Sequence, residues 1–561
     1  MTAGTAPPQA PLPDPATSPA GGFGPLREKA FLILWVATIL GNVGSFVRDT
    51  ASAWLVTDLS GEPAAVALVQ AAATLPIFLL AIPAGVLSDI LDRRKLLICI
   101  QLLLAGVSIT LMLLAHAGAL TVSSLVALTF LGGVGTALMG PVWQSIVPEL
   151  VPRGELKNAV ALNSLGINIA RSIGPAAGGL VLAAAGAAVT YGMDVASYVF
   201  VIGALLWWKR PKDEADALSE QFFGAFRAGL RYARASRTLH VVLFRAFVFF
   251  VFSSAVWALL PLVARNILGG GPSFYGVLLG AVGVGAIGGA LVLPKIRARL
   301  DADGLVLLAA AVASAVMACL ALAPPQWLAI VALLFLGAAW IVALTTLNGT
   351  AQSILPNWVR GRALAVYLTV FNGAMTVGSL GWGLVAQEVG IAPTLLIGAS
   401  VLLLVSLVLH RIKLPTGEAD LVPSSHWPEP LTASEVPNDR GPVLVLIEYR
   451  VAEADRQHFL AAIRRLSGER RRDGAYGWGI TEDAGDPERL VEWFMVESWA
   501  EHLRQHRRVT HEDADIQANL QKYHIGPADP VVRHFLTIPA SFRGHPSPSP
   551  TPADAGGTGA A

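Results

Sequence analysis

Between residues 30 and 411 apolar side chains continue for about twenty positions at a time, and most charged ones fall in the gaps between the runs. A helix rises 1.5 Å per residue and the hydrocarbon core of a bilayer is about 30 Å thick, so about 20 apolar residues suffice to cross it. Twelve such runs are predicted, over 30–57, 64–87, 96–116, 121–143, 158–184, 190–208, 239–263, 274–294, 304–323, 327–352, 363–386 and 392–410. An even number of crossings leaves both ends of the chain on one side.

The gaps decide which side. Alternate gaps carry Arg93, Arg94 and Lys95, then Arg153 and Lys157, then a basic stretch from Lys209 to Arg237, then Lys295, Arg297 and Arg299, then Arg360 and Arg362. The others hold little beyond His116, Arg265 and Glu388. Basic residues collect in cytoplasmic turns, so these turns and both termini are expected in the cytoplasm, in a multi-pass protein of the cell (plasma or inner) membrane. Within 209–238, Phe222, Phe226 and Leu230 recur every four residues, while Arg227, Arg231 and Arg234 fall on another arc. That pattern predicts an amphipathic helix along the inner surface, separating six runs from six. A weak repeat agrees: Gln144-Ser145-Ile146-Val147-Pro148 returns as Gln352-Ser353-Ile354-Leu355-Pro356, each soon followed by Arg-Gly. Matching segments in two halves are the mark of a duplicated transporter.

Beyond Lys413 the pattern changes. Residues 412–440 are rich in Pro, Ser and Glu and read as a linker. Strands are then predicted over 443–450, 476–481, 488–497 and 531–538, with an amphipathic helix over 455–472 and helix within 500–523. The expected fold class is therefore an all-α polytopic membrane protein of twelve transmembrane helices in two six-helix halves, 30–208 and 239–411, joined by the connector 209–238. A small cytoplasmic α+β domain of ferredoxin-like type follows over 441–540. The tails 1–29 and 541–561 read as disordered.

Composition narrows the function. Of 561 residues 54% are hydrophobic and 14% charged, as in proteins that live mostly in lipid. A net charge of +1 points to no nucleic-acid partner. Cys99 and Cys319 sit in apolar runs of opposite halves and read as packing residues, with neither disulfide nor metal expected. The chain has no Gly-x-x-x-x-Gly-Lys-Ser/Thr loop, so an ion gradient, of protons, is expected to supply the energy, and no cofactor is expected.

The turn from Gly85 to Lys95 holds five charged side chains within seven residues, Asp89 to Lys95. A single one at the bilayer centre costs about 2.5 to 3.5 kcal/mol, so the turn lies in water. Gly85 would let helices approach closely, and Asp89 would cap a helix or pair with Arg93 or Arg94. The sequence Gly-x-Leu-Ser-Asp-x-x-Asp-Arg-Arg-Lys resembles the loop between helices 2 and 3 of the major facilitator superfamily. With Asn42-Val43-Gly44, Ala53-Trp54-Leu55-Val56 and Pro141-Val142-Trp143-Gln144, the chain is similar to the transmembrane secretion effector branch, which includes enterobactin exporters and macrolide-efflux proteins. Gly174-Pro175-Ala176-Ala177-Gly178-Gly179 resembles the end of the exporters' antiporter motif. Its upstream glycine positions are Ala161 and Ala170 here, and 121–143 lack the exporters' arginine. The resemblance implies a secondary transporter that exports an amphipathic siderophore, macrolide or other drug-like metabolite by alternating access, coupled to protons. It also implies that the Gly85 to Lys95 turn latches the cytoplasmic side. Import is the alternative direction.

Polar residues inside apolar runs are costly unless paired or facing water. Asp49 beside Arg48 is the candidate proton-coupling group; the alternative is a solvated helix end. Asn42, Gln144, Asn168, Arg171, Trp257, Asn348 and Asn372 are candidates for the substrate cavity. Arg171 would meet an anionic or polar substrate, or be tethered to a carbonyl or to Asp194. Arg245, near the end of its run, is expected to snorkel. Gly174, Pro175, Gly178 and Gly179 give a flat, kinkable face for a neighbouring helix.

The C-terminal domain, with its segment from Glu497 to Thr510, resembles dimeric modules similar to antibiotic-biosynthesis monooxygenases. Its expected role is dimerisation, sensing or structure, with catalysis as the alternative. His502 and His506 would share a helix face near His511, without evident further metal ligands. The partners expected are thus the lipid bilayer, a small-molecule substrate, protons and a second copy of the chain.

Overall fold

The computed structural model describes residues 23–209, 222–356, 359–416, 432 and 436–538. Most of the two tails and of the linker, and the side chains of Asp89, Arg153, Phe222, Phe226, Arg227 and His511, lie outside the described residues. The chain divides into two compact units, Met1–Ala419 and Asp420–Ala561.

The first unit is helical: α1 Lys29–Leu59, α2 Pro63–Ile90, α3 Arg93–His116, α4 Val122–Leu150, α5 Leu156–Trp207, α6 Phe222–Ala235, α7 Arg237–Leu262, α8 Pro272–Arg297, α9 Ala302–Ala321, α10 Gln326–Ser353, α11 Arg360–Val389 and α12 Ile391–Leu409. Among the described residues eleven helices are long and apolar enough to cross a membrane. The fifth and sixth predicted runs are joined in α5, whose 52 residues exceed one crossing more than twofold. Its backbone breaks at Gly186 (φ 78°, ψ 177°), a conformation that L side chains rarely adopt. The register against α1 shows what the break does. On the first arm Gly166 lies by Ile39, Gly174 by Phe46 and Gly178 by Val47; on the second, Asp194 and Ser197 lie by Gly44, and Val201 by Gly41. The arms run in opposite directions, so the expected loop at 185–189 is a one-residue reversal.

The turn between α2 and α3 is capped by Asp92, whose carboxylate accepts from the Lys95 amide at 2.9 Å. Asp92 directly precedes the helix, while the capping or pairing expected of Asp89 lies outside the described residues. The connector helix α6 packs on the start of α11, where a Cβ on Gly229 would come within 2.6 Å of Arg362 Cβ.

The two halves meet through α5 against α8 and α2 against α11. Gly179 lies on Pro272 and Gly276, Gly283 on Ser172, Gly383 on Ala67, and Gly373 on Phe78. Thr74 and Thr376 share a hydrogen bond of 2.8 Å. Gly179, Pro272, Gly276, Gly383 and Ala67 lie toward the ends of their helices away from the basic turns, and the other contacts lie near mid-helix. Beyond them, Arg265 ion-pairs with Asp58 and lies over the Trp54 ring, which packs against Tyr275.

The second unit is a four-stranded antiparallel sheet in the order β2-β3-β1-β4, from β1 Val443–Arg450, β2 Gly477–Asp483, β3 Asp486–Val496 and β4 Val531–Leu536. Alternation along β1 puts Val443, Val445, Ile447 and Tyr449 into the core. Phe459, Ile463 and Leu466 of α13 (Arg456–Arg472) cover them. Two further helices, α14 Trp499–Arg508 and α15 His511–Gln521, complete the unit. Its core holds a wholly buried Arg470–Glu492 pair at 3.2 Å, with Glu492 also accepting from Trp478 at 2.9 Å and from Tyr449 at 3.3 Å. Burial and the Glu492 charge hold the Tyr449 hydroxyl well above its usual range.

Candidate functional site

A charged cluster lies inside the first six-helix half. Arg48 of α1 donates through Nη1 to Tyr198 at 2.9 Å and to Asp194 Oδ2 at 3.3 Å, both on the second arm of α5. Through Nε and Nη2 it donates to Asp49 at 3.1 and 3.0 Å. Ser108 of α3 donates to Asp194 at 2.6 Å. The cluster thus ties α1, α3 and α5 together, and each charge has a partner, as burial demands. Side-chain exposure separates the two carboxylates: Asp49 is 56% exposed and Asp194 is 0%. The buried acid is Asp194, which sequence reasoning considered only as a tether for Arg171. Its signal was a lone acid in an apolar run; its partner was 146 residues away.

Asn42 and Ser45 line a narrow crevice beside this cluster, with Gln101, Trp143 and Tyr198. Trp143 donates to Asn163 at 3.0 Å. Gln144 is exposed on α4. Arg171 has no ion pair or hydrogen bond among the described residues, so the tether expected as its alternative is not formed: Asp194 is held by Arg48. Asn168 and Asn372 bond their own helices, at Ser164 and Leu368 carbonyls, each at 2.9 Å. Asn372 is buried, and its Nδ2 is committed to the Leu368 carbonyl of its own helix. Asn348 accepts from Gln352 at 2.9 Å.

The second half gathers aromatic rings. Trp340 lies 5.0 Å from Trp257 and 5.2 Å from Phe250, and Phe371 lies 4.5 Å from Phe250, all edge to face. Trp257 Nε1 is buried without a partner. Arg245 does not snorkel. It is buried, pairs with Asp303 of α9 at 2.9 Å, and donates to the Leu409 and Ile412 carbonyls at 2.8 and 2.7 Å. Proximity to a helix end misled because α9 and the end of α12 cover that end.

The basic turn holds its own half together. Arg93 donates to Glu149 at 2.6 Å and to the Ser145 carbonyl at 3.2 Å, both on α4. Arg94 donates to the Leu205 and Leu206 carbonyls at 2.8 and 2.7 Å. A Cβ at Gly85 would meet open space, so the glycine does not serve a close helix approach here. In the glycine-rich segment the opposite holds. A Cβ would stand 2.6 Å from Phe46 Cβ at Gly174, 3.0 Å from the Val47 backbone at Gly178 and 2.5 Å from the Pro272 carbonyl oxygen at Gly179. The segment is pressed between α1 and α8.

In the second unit His502 and His506 share one face of α14, with Nε2 atoms 3.2 Å apart, and the ring of His534 of β4 lies tilted against His502 with centroids 4.6 Å apart. The third imidazole comes from a strand. Burial and the two neighbouring imidazoles push the His502 pKa down to about 3.

Two packed groups of apolar helices with paired charges inside define a polytopic membrane transporter. Residues 20–541 match the transmembrane secretion effector family, and the chain belongs to it. Curated relatives are the staphyloferrin A transporter of Staphylococcus aureus, 25% identical over 45% of this chain and 64% of that protein, and the multidrug efflux pump Tap of Mycolicibacterium fortuitum, 24% identical over 68% of this chain and 95% of that protein. Macrolide efflux protein A of Streptococcus pyogenes is 22% identical over 43% of this chain and 60% of its own length. The chain thus spans less than two thirds of the first and third of these. Among solved structures, an inward-facing bacterial homologue of the human lysosomal transporter Spinster superposes with a TM-score of 0.56 at 15% identity, over 69% of this chain and 97% of that one. A D-xylose-proton symporter does so at 0.55 and 16% identity, over 69% and 98%. These likenesses show the transporter fold. The family and its relatives are transporters, not enzymes.

Proposed function

We propose that this chain exports an amphipathic small molecule, a siderophore, macrolide or drug-like metabolite, by alternating access across twelve membrane crossings. The two antiparallel arms of α5 supply the fifth and sixth crossings. With the basic turns cytoplasmic, both termini lie inside and the contacts between halves close the outer end. That one-sided closure carries the reading: the substrate enters between the halves from the cytoplasm, and the halves rock about the α5–α8 and α2–α11 contacts to release it outside. Arg171 and the Trp257–Trp340 rings offer a cation and apolar faces to an amphipathic ligand.

Protons supply the drive through the shared arginine. Asp49, partly exposed, and Asp194, buried, compete for Arg48; protonating Asp49 leaves Arg48 to Asp194 and changes how α1 is held against α5. Asp49→Asn is expected to abolish gradient-driven efflux while substrate still binds, measured as uncoupler-sensitive extrusion beside equilibrium binding. Unchanged transport removes Asp49 from the coupling path. The strand order of the second unit, with its split strand-helix-strand crossovers, supports the ferredoxin-like reading and a dimerising or sensing role.

A further inference from the structure

We infer that His502, His506 and His534 form a three-histidine site for a divalent transition metal of the zinc class in the C-terminal unit. The inference stands independently of the transport reading. His502 and His506 are one helical turn apart on α14, whose start is fixed by Ser498 accepting from the Glu501 amide at 3.3 Å. His534 arrives from β4, in register opposite Val445 of the central strand. Helix and strand thus bring three imidazoles from distant parts of the sequence to one point, and their candidate ligand atoms all lie within 4.8 Å of one another.

The spacing suits a metal. Two nitrogens each about 2.0 to 2.1 Å from a tetrahedral zinc stand roughly 3.3 Å apart, and the His502 and His506 Nε2 atoms are 3.2 Å apart. A small inward movement of His534 completes a triangle of ligands. The chemistry also suits it. An all-imidazole donor set favours zinc, copper, nickel or iron over magnesium and calcium. His502 would ligate as a neutral ring, the form in which imidazole binds metals.

The surroundings are those of a first ligand shell with support behind it. Trp499 closes one side, its ring 5.4 Å from His502 and 6.0 Å from His534. The buried Gln505 amide lies against His502 as its side-chain hydrogen-bonding neighbour, and among the described residues no other side chain holds the amide or His502 Nδ1. Metal-bound histidines need an acceptor for the second ring nitrogen, and Gln505 Oε1 is placed to become one. His506 and His534 are part-exposed, giving ions a way in and leaving a fourth position for water or a ligand.

The test uses the full-length protein in detergent, without a polyhistidine tag, stripped with chelator, equilibrated with Zn²⁺ or Co²⁺ and desalted. One metal per chain is expected, with the visible absorption of four-coordinate cobalt. His506→Gln and His534→Gln, each at a part-exposed side chain, are expected to weaken retention by roughly tenfold or more, since even losing a supporting partner costs 10–100-fold, while the far-ultraviolet circular dichroism stays unchanged. Substoichiometric retention by the unmodified chain, or equal retention by well-folded variants, overturns the site.

Discussion

Asp194→Ala is expected to abolish transport and to destabilise the first six-helix half by about 3–5 kcal/mol, the cost of removing one partner from a buried ion pair. Arg48 would keep its charge with only the part-exposed Asp49 as an ionic partner. The Ser108 hydroxyl would lose its 2.6 Å acceptor at the same time. The double variant Arg48→Met with Asp194→Leu separates structure from coupling. An apolar pair of similar volume is often neutral in stability, so this protein is expected to insert and melt near the parent while failing to couple transport to the gradient. Thermal melting in detergent beside uncoupler-sensitive efflux reads both. Efflux retained by the double variant would assign the pair to structure alone.

The second large effect is at the contact between the halves. Gly179→Val would place a Cβ 2.5 Å from the Pro272 carbonyl oxygen and 2.8 Å from the Gly276 Cα, both main-chain atoms that cannot turn aside. The helices α5 and α8 would have to separate, and the outer end could not close. Export is expected to fall to background with membrane insertion near normal, because each half keeps its own packing. Gly85→Val, with open space around the added Cβ, is the matched control and should leave transport close to the parent level.

What could be read from the sequence follows from what constrains it. Lipid allows so few ways to satisfy a backbone that the positions of the apolar runs followed from length and hydropathy alone. The gap at 185–189 between the fifth and sixth runs was legible, but a single glycine in an alanine-rich stretch carries no turn pattern to show that Gly186 alone makes the reversal. In the C-terminal unit the alternation of Val443 to Arg450 gave the first strand at its observed bounds. Side-chain partnerships were harder. Arg48 next to Asp49 suggested a local pair, whereas the buried acid comes from α5. Arg245 looked like a helix-end residue until Asp303, the Leu409 carbonyl at the end of α12 and the Ile412 carbonyl just beyond it enclosed it. The His502 and His506 pair was visible as helical spacing, but His534 reaches it only through the β1–β4 register, which no local pattern encodes.

The function proposed for this chain is to move a small molecule out of the cytoplasm on an ion gradient. It is tested most directly by loading cells that do or do not express it with a panel of macrolides, dyes and siderophores, and following extrusion with and without a proton uncoupler. Extrusion of one class, faster with expression and lost with the uncoupler, is the expected result. Extrusion of none, by protein that is inserted and folded, or expression-dependent uptake in its place, would contradict it.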